Sequence, residues 1–198
     1  KNIHLYNPEL LDSYFYNNSP NASEENKYGW FSFKPFFISS ILDKLQKDDF
    51  LVYMDVYDKP KKGLQEYLVK RFKRNRNLDI LVNATNYPNI KFLSNFHKRN
   101  LSFEFKISSI FNSQPEAGVI VMRNNQRAKS ILRAWYGLTF IQSIDLNLHP
   151  DNNTRHDQET LFILSRIYKS IKIDSWLKYK LFGKGLRKFI DYEGYRKN

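Results

Sequence analysis

Hydrophobic positions along this chain change their period several times, and each change marks an element. From Ile38, apolar residues recur at Ile41, Leu42 and Leu45, a helical spacing that predicts an amphipathic helix over 35–45, opened by Pro35 in its first turn. The continuous run from Phe50 to Met54 predicts a buried strand. The same reading gives helices over 61–74, 124–142 and 158–168 and strands over 79–82 and 117–122. The 124–142 helix turns Ala128, Ile131, Leu132, Trp135 and Leu138 inward, and the 158–168 helix turns Leu161, Leu164, Ile167 and Tyr168 inward. Near the start, 2–6 suits a short strand and 8–16 a short helix entered at Asn7. Residues 17–27 and 145–154 read as loop. The stretch 83–113 has no assignable period, and no internal repeat is present. Strands alternating with helices predict an α/β domain with a mainly parallel sheet.

Composition agrees with this picture. A chain of 198 residues with 41% hydrophobic content can fill one core. It has no cysteine, which excludes disulfides and thiolate metal sites. No apolar segment reaches the roughly 20 residues of a membrane span. The glycosylation sequons at Asn21, Asn83 and Asn152 are expected by chance in an Asn-rich chain.

The net charge of +12 calls for an anionic partner. One basic cluster, Lys70, Arg71, Lys73, Arg74 and Arg76, closes a predicted helix and offsets its dipole, so it reads as a solvated terminus rather than a nucleic-acid footprint. In the second, Lys178, Lys180, Lys184, Arg187 and Lys188 interleave with Trp176, Leu177, Leu181, Phe182, Leu186, Phe189 and Ile190. That composition suits an anionic membrane surface, and packing of the tail on the domain is the equal alternative.

Candidate chemistry begins where the first strand ends. Asp55 and Asp58 follow the apolar run directly, and in an open α/β sheet the crevice beyond the strands' carboxyl ends takes the ligand. Hard carboxylate oxygens there suit Mn²⁺ or Mg²⁺ and, through it, a diphosphate. The plain alternative makes Asp55 a helix cap and Asp58 part of a turn with Lys59 and Pro60. Trp135 and Phe33 read as core. His4, His97 and His149 have no ligand spacing around them.

Four segments, in order, resemble bacterial nucleotide-sugar-dependent glycosyltransferases of the GT-A-like kind. They are Gly29-Trp30-Phe31-Ser32-Phe33-Lys34-Pro35, Leu51-Val52-Tyr53-Met54-Asp55, Glu116-Ala117-Gly118-Val119-Ile120-Val121 with Trp135, and Arg155-His156-Asp157-Gln158-Glu159-Thr160-Leu161. The likeness covers about 28–168. It departs from the family in having Asp-x-x-Asp where Asp-x-Asp is usual.

The resemblance implies a GT-A-like, Rossmann-like domain over 1–172, lacking its first strand and helix, followed by the basic amphipathic segment 173–198. It implies transfer of a sugar from a nucleotide-sugar donor to a glycan or lipid-linked acceptor in surface polysaccharide assembly, assisted by Mn²⁺ or Mg²⁺. On this reading Lys34 holds the donor diphosphate at a helix start, and Asp55 binds metal or donor with Asp58 as second metal ligand. His156 contacts donor or metal, Asp157 is the general base, and Glu116 orients the acceptor or replaces Asp157 as base. The expected location is cytoplasmic, peripheral on the inner face of a membrane. A non-catalytic sugar-binding or assembly module of the same fold is the alternative function. A basic nucleic-acid binder ranks third, and nucleic acid is not the expected partner.

Overall fold

A computed structural model of the chain describes residue 11 and residues 13–19, 32–55, 58–88, 93–148 and 156–192. The predicted strand at 2–6, most of the 17–27 loop and the sequons at Asn21 and Asn152 lie outside these residues. Alternation of side chains along the strands builds two hydrophobic layers. Ile80, Val82, Ile120 and Met122 face one way, and Leu81, Val119 and Val121 face the other. Covered on both faces, such strands read as the unbroken apolar runs of the sequence.

The elements, in order, are α1 (Ser13–Asn18), α2 (Phe33–Leu42), β1 (Phe50–Met54), β2 (Asp58–Pro60), α3 (Leu64–Arg74), β3 (Ile80–Pro88), α4 (Asn95–Asn100) and α5 (Phe103–Phe111). There follow β4 (Ser113–Arg123), α6 (Gln126–Leu148), α7 (His156–Ile167), β5 (Ile171–Asp174), α8 (Trp176–Phe182), a 3-10 turn (Leu186–Phe189) and β6 (Ile190–Tyr192). Helices α2, α6 and α7 cover the first face through Ile38, Leu42, Leu132, Trp135, Leu161 and Leu164. Helix α3 covers the second through Leu64, Leu68 and Phe72.

The main sheet has the order β1-β4-β3-β5. Strand β4 is antiparallel to both its neighbours and only β3 and β5 pair in parallel, so the sheet is mixed rather than mainly parallel. A doubly buried run looks alike in either direction, so the sequence pattern carried the strand without its orientation. Three strands still share one direction, and their carboxyl ends lie at one end of the sheet.

The unassigned stretch 83–113 contains the second half of β3 as well as α4 and α5. Past Val82 the β3 register shifts and the buried side chains turn polar, at Asn83 and Thr85, which hid the strand from a hydrophobic reading. Asn83 is buried there and cannot accept a glycan.

The C-terminal segment divides. Strand β6 pairs with β2, Leu186 and Ile190 are buried in the second core layer, and Phe189 stacks on Tyr67 with ring centroids 4.7 Å apart. Packing therefore continues across the 172/173 boundary. Leu177, Leu181 and Phe182 on α8 remain exposed. No helix among the described residues is long and apolar enough to cross a membrane.

Candidate functional site

Where β1 ends, the backbone N–H of Asp55 continues the ladder to the Gly118 carbonyl (2.8 Å), and the N–H of Asp58 turns back to the Asp55 carbonyl (2.9 Å). This turn directs both carboxylates at one glycine. A Cβ on Gly118 would lie 3.1 Å from Asp55 Oδ2 and 3.2 Å from Asp58 Oδ2. The Tyr53 hydroxyl donates to Asp55 Oδ1 at 2.8 Å. Burial first, then Asp55, pushes the Tyr53 phenol well above its usual range, so it stays a donor.

Lys34 lies in the first turn of α2 with its side chain 7% exposed. Its Nζ donates to Asp157 Oδ2 at 2.7 Å and sits 3.5 Å from Asp55 Oδ1. Burial pulls this ammonium down, but Asp157 and then Asp55 outweigh it, and its pKa ends above the ordinary lysine value. Lys34 is thus a buried cation held by protein carboxylates. This is the ammonium that the resemblance implied would hold the donor diphosphate, and here it is engaged by Asp157 and Asp55.

Asp157, the base that the resemblance implied, is the partner in this pair. Its side chain is 6% exposed, Oδ2 accepts from Lys34, and Oδ1 accepts the Gln158 backbone N–H at 2.9 Å. Both oxygens are engaged inside the protein. A first-turn carboxylate that complements the helix dipole and neutralises a buried lysine is an anchor.

Glu116 faces the other end of the cluster. It pairs in register with Asn83 across β3 and β4, and its Oε2 lies 3.2 Å from Arg187 Nη1. Arg187 comes from the 3-10 turn, also donates to the Ala84 carbonyl at 3.4 Å, and keeps its side chain 22% exposed. A narrow cleft lined by Asn83, Ala84, Asp174, Tyr179, Lys184 and Arg187, too tight in this conformation to admit a water molecule, adjoins it. In the sequence, Arg187 reads only as tail charge. Its place beside Leu186, the buried apolar position of that turn, is the one signal that could have found it.

Asp58 registers the electrostatics of the whole cluster. Burial, then the Asp55 and Glu116 carboxylates, push it up to about 7 against the opposing pull of Arg187 and Lys34. Asp55, Asp58, Glu116 and Asp157 face Lys34 and Arg187, so full ionisation leaves an excess of two negative charges. Only a residue without a side chain at Gly118 lets the two Oδ2 atoms approach the strand this closely, and hard carboxylate oxygens brought together in this way are the donor type a small divalent cation takes. Among the described residues no group of three ligating side chains stands ready for a metal, so Asp55 and Asp58 would supply two positions only. The side chain of His156 lies outside the described atoms; its backbone opens α7.

A second buried network supports the first. Glu159, two residues after Asp157, accepts from the Ser94 N–H (2.6 Å) and from Gln142 Nε2 (2.7 Å), and lies 2.9 Å from His97 Nδ1. This ties α4 and α6 to α7, and it gives His97 a structural partner that sequence spacing does not reveal. No protein-family model, curated protein or solved structure matches this chain.

Proposed function

We propose that the chain is a glycosyltransferase domain of the GT-A-like kind that moves a sugar from a nucleotide-sugar donor to a glycan or lipid-linked acceptor. The observation that carries this reading is the meeting of Asp55 and Asp58, from the turn after β1, with Glu116 of β4 at the carboxyl end of a mixed α/β sheet with an excess of negative charge. Ligands bind at that end of open α/β sheets. Departure of a nucleoside diphosphate requires its growing charge to be neutralised. Asp55 and Asp58 would hold a Mn²⁺ or Mg²⁺, which would supply that neutralisation as a Lewis acid.

The chain's own residues do the rest. Arg187, at the rim of the cleft, takes the phosphate-facing place that the resemblance suggested for Lys34. Glu116, relieved of Arg187 when that guanidinium turns to phosphate, accepts the proton of the acceptor hydroxyl. The Lys34–Asp157 pair holds α7 against α2 and keeps Asp55 oriented. Tyr53 fixes Asp55 from the other side.

Thermal-shift measurements with UDP-, GDP-, CMP- and dTDP-sugars, each with and without Mn²⁺, test the proposal. One donor class should raise the melting temperature in a Mn²⁺-dependent way, and no shift with any of them refutes it. The second reading, a non-catalytic sugar-binding module, is favoured by one observation: Asp157 and Glu116, the two candidate bases, are both buried in ion pairs. Donor hydrolysis in the presence of Mn²⁺ separates the two, since a binding module gives the shift without turnover.

A further inference from the structure

Two short helices beside the candidate site leave their apolar faces in solvent. On α5, Phe103, Ile107, Ile110 and Phe111 form one stripe at helical spacing, and its ends are the most open, Phe103 at 72% and Phe111 at 81% exposure. On α8, Leu177, Leu181 and Phe182 form a second. Single exposed apolar residues are ordinary, whereas contiguous stripes mark an interaction surface.

Both stripes flank the same strand. Helix α5 ends two residues before Ser113, which pairs with Pro88 at the end of β3, and α8 lies beside Ala84 through Tyr179. Three residues of β3 lie between Ala84 and Pro88, a span of at most about 13 Å. Tyr87, itself 41% exposed, is one of them. The narrow cleft beside Arg187 lies at this same stretch.

Charge selects the occupant. Helix α5 itself carries Lys106 and Glu104, with Lys98 and Arg99 closing the helix before it, whereas Lys180, Lys184 and Lys188 accompany the second stripe without an acidic residue among them. No acidic residue occurs between Asp174 and Asp191. Apolar stripes with interspersed cations match an anionic lipid surface, where side chains enter the acyl boundary and cations meet headgroup phosphates. A second copy of the chain would bring another +12 against the first, and nucleic-acid bases, which can stack on the exposed Phe rings, leave the exposed Ile and Leu of both stripes uncovered.

We propose that α5 and α8 together form a docking surface for an anionic lipid bilayer, which sets the cleft beside Arg187 at the headgroup level. The proposal is independent of the sugar-transfer reading, because its test uses no nucleotide sugar and no turnover.

The full chain is sedimented with vesicles of phosphatidylcholine containing about one-third phosphatidylglycerol, and with pure phosphatidylcholine vesicles. Binding should favour the anionic vesicles by about tenfold or more and fall steeply as salt rises. The double variants Phe103→Ser with Phe111→Ser, and Leu181→Ser with Phe182→Ser, should each weaken vesicle binding by about tenfold. Their melting temperatures should match the parent, since all four side chains are exposed. Absence of vesicle binding, equal binding to neutral vesicles, or binding untouched by both variants overturns the proposal. So does a solution dimer that the same substitutions dissolve, which would assign the face to a second copy. The salt series on the unsubstituted chain tests the docking without any variant.

Discussion

Asp58 is the residue whose titration reports most on this protein. Its pKa of about 7 in the folded state stands above the ordinary 3.8, so between those values the folded chain binds more protons than the unfolded one. Stability contributed by this protonation is complete below the unfolded value and is lost as pH rises through about 7. Asp58→Asn should therefore raise the melting temperature at pH 8 and leave it unchanged near pH 4. The side chain is only half buried, so the gain is about 1 kcal/mol after solvent screening, a few degrees for a chain of this size. Calorimetry at the two pH values checks it, and Mn²⁺ should stabilise the parent at pH 8 more than the variant. Gly118→Ala provides a second test, since its Cβ would crowd both Oδ2 atoms at 3.1 and 3.2 Å. Any Mn²⁺-induced shift should shrink in that variant while the far-ultraviolet circular dichroism stays unchanged. Lys34→Met leaves Asp157 buried without its partner, at a cost of roughly 3–5 kcal/mol. Urea unfolding should register this loss, and the double change with Asp157→Leu should restore a large part of it.

At the level of elements, α7 carries both anchoring carboxylates. Asp157 ties it to α2 and Glu159 ties it to α4 and α6. Glu159 is wholly buried, and replacing it with Leu removes the acceptor of the Ser94 N–H and of Gln142 Nε2 and the carboxylate beside His97 Nδ1 at once. We expect a loss of roughly 3 kcal/mol, the scale for a buried carboxylate withdrawn from several hydrogen bonds. Hydrogen exchange should show the amides of α4 opening well before those of β3 and β4. Uniform opening of the whole domain would mean that the network does not act locally. Part of this arrangement is legible in the sequence. The helix at 158–168 shows itself because its apolar face repeats every three to four residues, but nothing in that period tells which carboxylate in its first turn meets a lysine more than a hundred residues away.

For the molecule as a whole, the C-terminal segment is both core and surface. Leu186 and Ile190 complete the layer formed with Leu64, Leu68 and Phe72, while Asp174 receives the Tyr67 hydroxyl (2.8 Å), Arg71 (3.0 Å) and the Leu186 N–H (2.9 Å). A chain ended after Lys184 should lose several kcal/mol, the scale of two large apolar side chains withdrawn from a packed layer, together with the cation at the mouth of the cleft. Thermal unfolding of the shortened chain should come at markedly lower temperature. An unchanged transition would make 185–198 an appendage.

What the amino-acid sequence determined by itself is local and periodic. The strand at Phe50–Met54, the second strand around Val119, the helices bearing Trp135 and Leu161, and the aspartates placed straight after β1 all follow from side-chain spacing along one segment. Tertiary structure alone decided what depends on partners distant in sequence. It set β4 against its neighbours, enclosed Asp157 with Lys34, brought Arg187 to Glu116, and placed Asp58 between two other carboxylates. The physical reason is that hydrophobic period is a property of one element, whereas burial of a charge and the pKa it acquires depend on which other charges the fold places within a few ångströms.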